Sequence, residues 1–412
     1  MSFHIVVAYA IVNIVFLLLV IKNKGFRLTP GLVLVAFYCM IACLSIPAYK
    51  MLPNAIFFDM YDFKHITLFP YIILFVATYM FIRPLFSFDG VLKRAKLNIN
   101  LRNVKKICWF YIFCTTISAL LYYRVSDSIS IEDMAAIRAD VYDGEMINAY
   151  NNIFERFFLS FTSYFNTPMI IVFFVLLAKY RDRCKKIFFI LLGFSLVVPA
   201  IGDSIRTVSR GVLVSLFMQL ILGFSFFSSY FNKGVIRKVF IAFILLTSVI
   251  YGISSILTEA RFGEGESGFE SVIVYWGQPP LIFNSQVFYV NEYAFGRHFF
   301  YPIADFFGAA PKAFLAKQGK LFDPCFTTFV GDFYRDGGIL LVFILAIIIP
   351  RIIIRIIKKK EIGIPELYIM MFYSLFLQHG ALVTRFGFCY NVFVCIMIFF
   401  ILKFITTNRQ TI

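Results

Sequence analysis

Two arginines lie four residues apart in a short polar segment, Asp203-Ser-Ile-Arg206-Thr-Val-Ser-Arg210-Gly211, which joins two apolar runs. If the next helix begins near Arg210, both guanidinium groups lie on one face of its N-terminal end, where unpaired N–H groups and the helix dipole also favour an anion. Arginine binds phosphate oxygens through paired hydrogen bonds and keeps its charge. Arg206 and Arg210 therefore predict a phosphate site. The alternative is that both side chains extend to lipid headgroups.

Three further arginines stand outside the apolar runs and suit the same chemistry. Arg261 follows one run, Arg297 lies in a long loop, and Arg385 separates the last two runs. Charges close to membrane depth are costly and usually have a role, so several arginines that converge beside the spans would form a candidate anion site. Each arginine taken alone is also explained by a salt bridge to a loop carboxylate.

Transfer to a hydroxyl acceptor would also need a general base. Histidine is the side chain whose ordinary pKa lies nearest neutrality, which favours His298, next to Arg297. Carboxylates serve as bases where apolar surroundings raise their pKa, so Glu259 and Asp336 are the alternatives. The sequence leaves the choice among these three open, and a loop histidine without a chemical role is the plain alternative.

Other familiar chemistry is not indicated. The segment from Gly263 to Gly268 has the letters of a GxGxxG motif, but it follows an apolar run instead of a β-strand and carries two glutamates that would repel a pyrophosphate. We expect a flexible hinge there. The eight cysteines fall mostly inside apolar runs and show no metal-ligand spacing, so we predict no metal site and no cofactor.

The elements that position these residues are predicted to cross a membrane. The chain of 412 residues is 60% hydrophobic and only 15% charged, well beyond the usual range of soluble domains. Runs long enough to cross a bilayer predict an all-α polytopic membrane protein with about 11 transmembrane helices. The predicted spans are 3–21, 31–49, 66–82, 107–123, 157–177, 187–201, 211–231, 239–257, 338–350, 367–383 and 386–402. The first run lacks the features of a cleaved signal peptide and is expected to remain as an anchor.

The distribution of charge predicts the orientation. Lysine and arginine are concentrated in alternate loops, whereas most acidic residues lie in the opposite set. Because positive loops are retained in the cytoplasm, the N-terminus is expected outside and the C-terminus inside. The formal net charge of +16 then reflects topology, and no nucleic-acid partner is predicted.

Most residues outside the spans are predicted to lie on the outer face. The largest segments are 124–156 and the loop 258–337 between spans 8 and 9, whereas the cytoplasmic loops are too short for a nucleotide-binding domain. Residues 1–412 are interpreted as a single polytopic domain. Within the large loop, Ser271–Val290 is expected to be either a re-entrant segment or an amphipathic loop helix. Chemistry on the outer face would need a substrate that arrives already activated.

The layout resembles the Wzy-type oligosaccharide repeat-unit (O-antigen) polymerases of bacterial inner membranes. The matching pieces are Ser209-Arg-Gly211 at the start of a central span, Phe295-Gly-Arg-His-Phe-Phe-Tyr-Pro-Ile303 in the large loop, and Thr327–Leu341 before the next span. The family usually has a tyrosine, an acidic residue and Phe-Gly in the last piece. Here Arg335 is inserted and Gly337 replaces the phenylalanine.

The resemblance implies a glycosyltransferase that moves a glycan from undecaprenyl pyrophosphate to a new lipid-linked repeat unit at the periplasmic face. Arg210, Arg261 and Arg297 would hold the leaving pyrophosphate, with Arg206 and Arg385 as further contacts. The implied partners are the undecaprenyl-pyrophosphate-linked oligosaccharide, membrane lipid and a chain-length regulator protein. Two alternatives stay open: an O-antigen ligase-type transferase, and a transporter or flippase of the same lipid-linked oligosaccharides.

Overall fold

The computed structural model describes residues 2–25, 27–51, 65–88, 96–126, 152–262, 268–290, 292–300, 303, 315–317, 320–322, 326–382 and 387–407. Twelve α-helices lie within these ranges. They are α1 (Ser2–Lys24), α2 (Pro30–Met51), α3 (Leu68–Ser87), α4 (Leu101–Ser126), α5 (Ile153–Lys179), α6 (Lys186–Arg206), α7 (Arg210–Phe227), α8 (Lys233–Phe262), α9 (Gly268–Ile282), α10 (Thr328–Ile357), α11 (Ile364–His379) and α12 (Gly387–Thr406). The described strands are the short β1 (Lys96–Leu97), β2 (Leu315–Lys317), β3 (Lys320–Phe322) and β4 (Glu361–Ile362).

The predicted spans are helices. Each of the eleven apolar runs contains one, and eight of the described helices have the length and apolar composition to cross a membrane. This confirms the all-α polytopic membrane fold. The predicted hinge at 263–268 lies outside the described residues except for Gly268, which begins α9, and most of the predicted loop 124–156 lies outside them as well.

One helix, α9, corresponds to none of the eleven predicted spans. It occupies the segment for which the sequence allowed either a re-entrant segment or an amphipathic loop helix. It continues into a π-helical turn at Phe283–Val287. Its second half is buried, and Gly277 lies so close to α2 that a Cβ there would be 2.3 Å from the backbone oxygen of Leu44. The side chain of Asn284 then binds the start of α3, because it accepts from Thr67 N at 3.0 Å and donates to Thr67 O at 2.7 Å.

Helix α10 contains a break that the sequence did not predict. It begins at Thr328, ten residues before the predicted span, and loses helical geometry at Gly337 and Gly338. Gly338 has φ of +67°, and a Cβ there would lie 2.7 Å from the ring of Tyr293. Both the backbone conformation and the close contact require glycine. We call Thr328–Asp336 the polar segment of α10; the predicted span follows it.

Contacts divide the chain into two compact units, each interleaved along the sequence. One unit comprises Met1–Lys96, Phe269–Lys360 and Phe372–Met397, and the other comprises Leu97–Gly268, Glu361–Met371 and Ile398–Ile412. In the first unit, α3 packs against α10 and α2 against α1. Tyr38 there donates to Leu377 O at 2.6 Å, so a buried hydroxyl is satisfied by a carbonyl.

The second unit is built around α4, α5, α6 and α7. Asn166 on α5 donates to Leu196 O on α6 at 3.1 Å. Gly202 on α6 lies directly against the ring of Tyr122, which leaves no room for a side chain. Close helix approach at small residues and interhelical hydrogen bonds are the usual means by which membrane helices associate.

Candidate functional site

The loop that carries Arg297 and His298 is fixed to the polar segment of α10 by one carboxylate. Asp336 Oδ1 accepts from His298 N at 3.0 Å, and Asp336 Oδ2 accepts from Phe299 N at 2.8 Å and from Phe300 N at 3.3 Å. Two backbone bonds continue this contact, from Ala294 N to Arg335 O and from Phe295 N to Asp336 O. Asp336, a candidate base, therefore has both oxygens engaged in holding the loop, which favours a positioning role.

The imidazole of His298 faces a second carboxylate of the same helical segment. His298 Nε2 lies 3.1 Å from Asp332 Oδ1, and the two side chains are 6% and 3% exposed. Thr327 Oγ1 donates to the same Asp332 oxygen at 2.7 Å. Because a carboxylate oxygen only accepts, the Nε2–H tautomer donates to Asp332 and leaves the lone pair on Nδ1, whereas the Nδ1–H tautomer accepts at Nε2 from Arg335 Nη1.

A buried arginine completes the cluster. Arg335 is only 1% exposed, and its Nη1 lies 3.3 Å from His298 Nε2. We call His298, Asp332, Arg335 and Asp336 the charged cluster. Its members are two carboxylates, one guanidinium and one imidazole, and all four residues are buried.

The spacing along α10 explains how one short segment supplies three members of this cluster. Asp332, Arg335 and Asp336 stand at helical positions i, i+3 and i+4, which share one face. The first N–H groups of the segment are satisfied by the loop after α11, since Thr328 N donates to Leu382 O and Phe329 N donates to Gly380 O. The segment is thus held at its start by backbone bonds and at its end by the glycine break.

The charged cluster is buried, and phenylalanines next to its members in the chain pack against one another. Phe299 packs on Phe333 with ring centroids 4.8 Å apart, and Phe329 contacts Phe81 and Phe376 at 5.0 and 5.3 Å. Electrostatic interactions are stronger in such a low-dielectric setting than in water. Displacing any charged group of this cluster would therefore have a large effect on the electrostatic energy of the others.

Arg297 lies beside the charged cluster but is not a member of it. The side chain is partly exposed, and its Nε donates to Ala294 O at 3.2 Å. This bond orients the guanidinium while its two Nη groups carry further donors. Arg297 is therefore a candidate contact for an anionic group that approaches His298.

The remaining predicted residues belong to the second unit or lie outside the described residues. Arg206 ends α6, forms a salt bridge with Asp203 at 3.2 Å, and lines a cavity of about 220 Å³ with Tyr122 and Gly202. Arg210 begins α7, while Glu259 and Arg261 lie in the last turn of α8. Arg385 falls outside the described residues. Convergence of the five arginines on one pyrophosphate stays a prediction.

Sequence reasoning named His298 and Asp336 but missed the partners of the imidazole. Asp332 and Thr327 were given no role, and Arg335 was noted only as an insertion in the family motif. The spacing Asp332-x-x-Arg335-Asp336 would have revealed a charged helical face, but only if a helix had been predicted there. Within the described ranges, no three His, Cys, Asp or Glu side chains come together in a way that would hold a metal ion.

Strained backbone occurs in the connections that carry the candidate residues. In the described part of the chain, the non-glycine residues with positive φ are Val208 (47°), Phe295 (50°) and Thr328 (66°). Val208 lies between Arg206 and Arg210, Phe295 precedes Arg297, and Thr328 opens the polar segment of α10. Such conformations cluster at functional sites, because elsewhere their strain brings no advantage.

Comparisons with known proteins found no matching family model, no matching curated protein and no matching solved structure.

Proposed function

We propose that this chain is a glycosyltransferase of the bacterial inner membrane that polymerises lipid-linked oligosaccharide repeat units on the periplasmic side. The resemblance of its layout and motifs to the repeat-unit polymerases supports the proposal. The observation that carries it is the buried contact between His298 Nε2 and Asp332 Oδ1, beside the partly exposed Arg297. Transfer from a pyrophosphate to a hydroxyl requires a base for the hydroxyl and a cation for the leaving group, and an oriented imidazole next to an arginine supplies both.

In the proposed step, a hydroxyl oxygen of the acceptor repeat unit attacks the anomeric carbon of the donor glycan. The bond from that carbon to the pyrophosphate oxygen breaks, and undecaprenyl pyrophosphate leaves with its electron pair. The proposed step uses the Nε2–H tautomer: His298 Nδ1 takes the proton of the hydroxyl, and Asp332 stabilises the resulting imidazolium through Nε2–H. Arg297 stabilises the leaving pyrophosphate, with Arg210 and Arg261 as its predicted co-ligands.

The test is reconstitution of the purified chain in vesicles with a synthetic undecaprenyl-pyrophosphate-linked repeat unit. We expect a ladder of longer lipid-linked glycans on gels. His298→Gln should lower the initial rate by about 10²- to 10⁴-fold, the usual contribution of a general base. His65→Gln is the matched control, since His65 is exposed in a turn before α3. A full ladder from His298→Gln would contradict the proposed role of the imidazole.

The same vesicles separate the ligase-type alternative. If the wild-type chain gives no ladder with repeat units alone but transfers the glycan once a lipid A core acceptor is added, the protein is a ligase. The geometry of the charged cluster does not distinguish these acceptors, because both present a sugar hydroxyl to the base.

One observation favours the transporter alternative. A helix broken beside buried charges, as at Gly337 and Gly338 in α10, is typical of transporter substrate sites. A transporter would move a labelled lipid-linked oligosaccharide across the vesicle membrane without changing its length. If the label moves between leaflets while the glycan keeps its length, the protein is a transporter and the polymerase proposal is wrong.

A further inference from the structure

A tight turn joins the end of the α9 region to the charged cluster. Arg297 N donates to Ala294 O at 3.1 Å, which closes a four-residue turn over Ala294–Arg297. Its two central residues both have positive φ, 50° at Phe295 and 82° at Gly296. Turns with positive φ at both central positions strongly favour asparagine, aspartate or glycine at the first of them.

Phenylalanine is a poor residue for this position. Its Cβ is strained at positive φ, and its side chain cannot make the local hydrogen bonds with which asparagine stabilises such turns. The ring gains little burial in exchange, because Phe295 is 78% exposed. The chain therefore holds a large apolar ring outward from a strained turn, although a turn-forming residue would suit the fold better.

The direction and support of this ring are fixed by the charged cluster. Phe295 N donates to Asp336 O at 3.0 Å, so the turn is bound to the same helical segment that holds His298. Tyr293 stands perpendicular to the Phe295 ring with centroids 6.4 Å apart, and the Tyr293 ring itself packs over Gly338. The exposed ring is thus an ordered feature, held two residues before Arg297 and three before His298.

We propose that Phe295, supported by Tyr293, is a stacking contact for a pyranose ring of the acceptor glycan. This inference rests on the proposed function. The C–H face of a sugar ring is slightly positive and packs on the negative face of an aromatic ring, while the sugar hydroxyls remain available for polar partners. Arg297 on the same turn and His298 directly after it supply such partners, so an acceptor stacked on Phe295 would present a hydroxyl to the imidazole.

A lipid acyl chain is the competing occupant for an exposed apolar ring. The position favours the sugar, because the same turn carries a guanidinium and leads to a buried imidazole, whereas an acyl chain needs neither. The two occupants also differ in what they require of the side chain. Stacking needs a flat ring, but insertion into lipid needs only apolar surface.

Four variants at position 295 distinguish these requirements in the vesicle assay with titrated acceptor. Phe295→Tyr and Phe295→Trp keep a flat ring and should retain acceptor KM within about threefold. Phe295→Leu keeps apolar surface but no ring, and should raise acceptor KM roughly tenfold, which corresponds to about 1.4 kcal/mol. Phe295→Asn should raise acceptor KM by at least as much while leaving the melting temperature equal or higher, since asparagine suits the turn.

Phe69→Leu is the matched control. Phe69 is also an exposed ring, 54% exposed, with a perpendicular aromatic neighbour, Phe288, at 5.7 Å. It lies at the start of α3 and outside the turn, so acceptor KM should not change.

Direct binding separates failure of this inference from failure of the proposed function. Calorimetry with the water-soluble oligosaccharide, without its lipid, should show binding to wild type and Phe295→Tyr but roughly tenfold weaker binding to Phe295→Leu. If wild type extends chains and Phe295→Leu behaves as wild type in both measurements, the stacking contact is wrong and the ring faces lipid. If wild type extends no chains yet binding follows the ring, the polymerase proposal fails and the sugar contact stands.

Discussion

At the scale of single residues, one face of the polar segment of α10 supplies three of the four members of the charged cluster, and each of the three makes a different contact. Asp332 faces the imidazole, Asp336 binds the backbone of the loop, and Arg335 brings a guanidinium nitrogen to 3.3 Å from His298 Nε2. Two carboxylates of one helical turn thus have different tasks because their oxygens meet different donors. The assignment separates a residue that orients the base from one that holds the loop.

This division predicts different outcomes for two conservative variants. Asp332→Asn keeps the size of the side chain but removes the charge that stabilises the imidazolium and fixes the Nε2–H tautomer. We expect the rate of chain extension to fall by about 10²- to 10⁴-fold, in the range of general-base contributions. Initial rates in reconstituted vesicles measure this, and a thermal melt within a few degrees of wild type shows that the fold is intact.

Asp182→Asn is a suitable control for that experiment. Asp182 lies exposed in the 3₁₀ turn Arg181–Arg183, between α5 and α6. It should leave the rate unchanged. If Asp332→Asn works at the wild-type rate, the carboxylate does not orient the base, and the His298–Asp332 contact is only structural.

At the scale of secondary structure, hydropathy was sufficient to predict the membrane-spanning helices but not the helical segment that carries the site. Long apolar runs have few alternatives to a helix in a membrane, so eleven helices were located. Ten of them end within six residues of the predicted bounds, whereas α10 begins ten residues earlier and ends seven residues later than predicted. The polar segment of α10 was missed because Asp332, Arg335 and Asp336 interrupt the apolar pattern. Its helical spacing becomes visible only once tertiary burial among Phe299, Phe329 and Phe333 is known.

The partners within the site could not be predicted for a different reason. His298 and Asp336 were both named from their residue types, but 38 positions separate them, and local spacing carries no information about such a contact. Similarly, α9 stayed ambiguous because Gly277, Pro279 and Pro280 weaken a helix prediction. In the fold Gly277 is needed for close approach to α2, a tertiary requirement that outweighs propensity.

The break in α10 can be tested as an element. Gly338→Ala would place a methyl group 2.7 Å from the Tyr293 ring at a φ of +67°. We expect the free energy of unfolding to fall by about 1–3 kcal/mol, as for strained or overpacked sites. Chain extension should fall as well, because a shift of the break moves Asp336 away from the backbone of His298. Thermal melts and initial rates measure both effects.

Gly252→Ala provides the comparison for the break. Gly252 lies within α8 and has open space around its Cα, so alanine there should be neutral or stabilising by at most about 1 kcal/mol. Equal stability of the two variants would show that the geometry at Gly338 does not depend on glycine.

At the scale of the whole molecule, the proposed chemistry requires a defined orientation in the membrane. The asymmetric distribution of lysine and arginine predicts a periplasmic N-terminus and a cytoplasmic C-terminus, which places the loop 258–337 in the periplasm. The donor glycan would then meet His298 after its carrier has crossed the membrane. A cytoplasmic loop 258–337 would separate the site from that substrate.

Reporter fusions test this orientation. Alkaline phosphatase, which is active only in the periplasm, should be inactive when fused after Ile412 and active when inserted in the segment 127–151. Green fluorescent protein should give the reverse pattern. Activity of the phosphatase at the C-terminus would invert the topology and remove the proposed reaction from the periplasmic side.

Backbone strain at Val208, Phe295 and Thr328 also affects which substitutions this sequence would accumulate over generations. Each left-handed non-glycine residue costs about 1–3 kcal/mol, and glycine would remove this strain while asparagine would tolerate it better. In a lineage that no longer needed the transfer reaction, mutation would remove that cost without penalty. Phe295 would then be among the first positions to become asparagine or glycine, while the apolar spans remained unchanged.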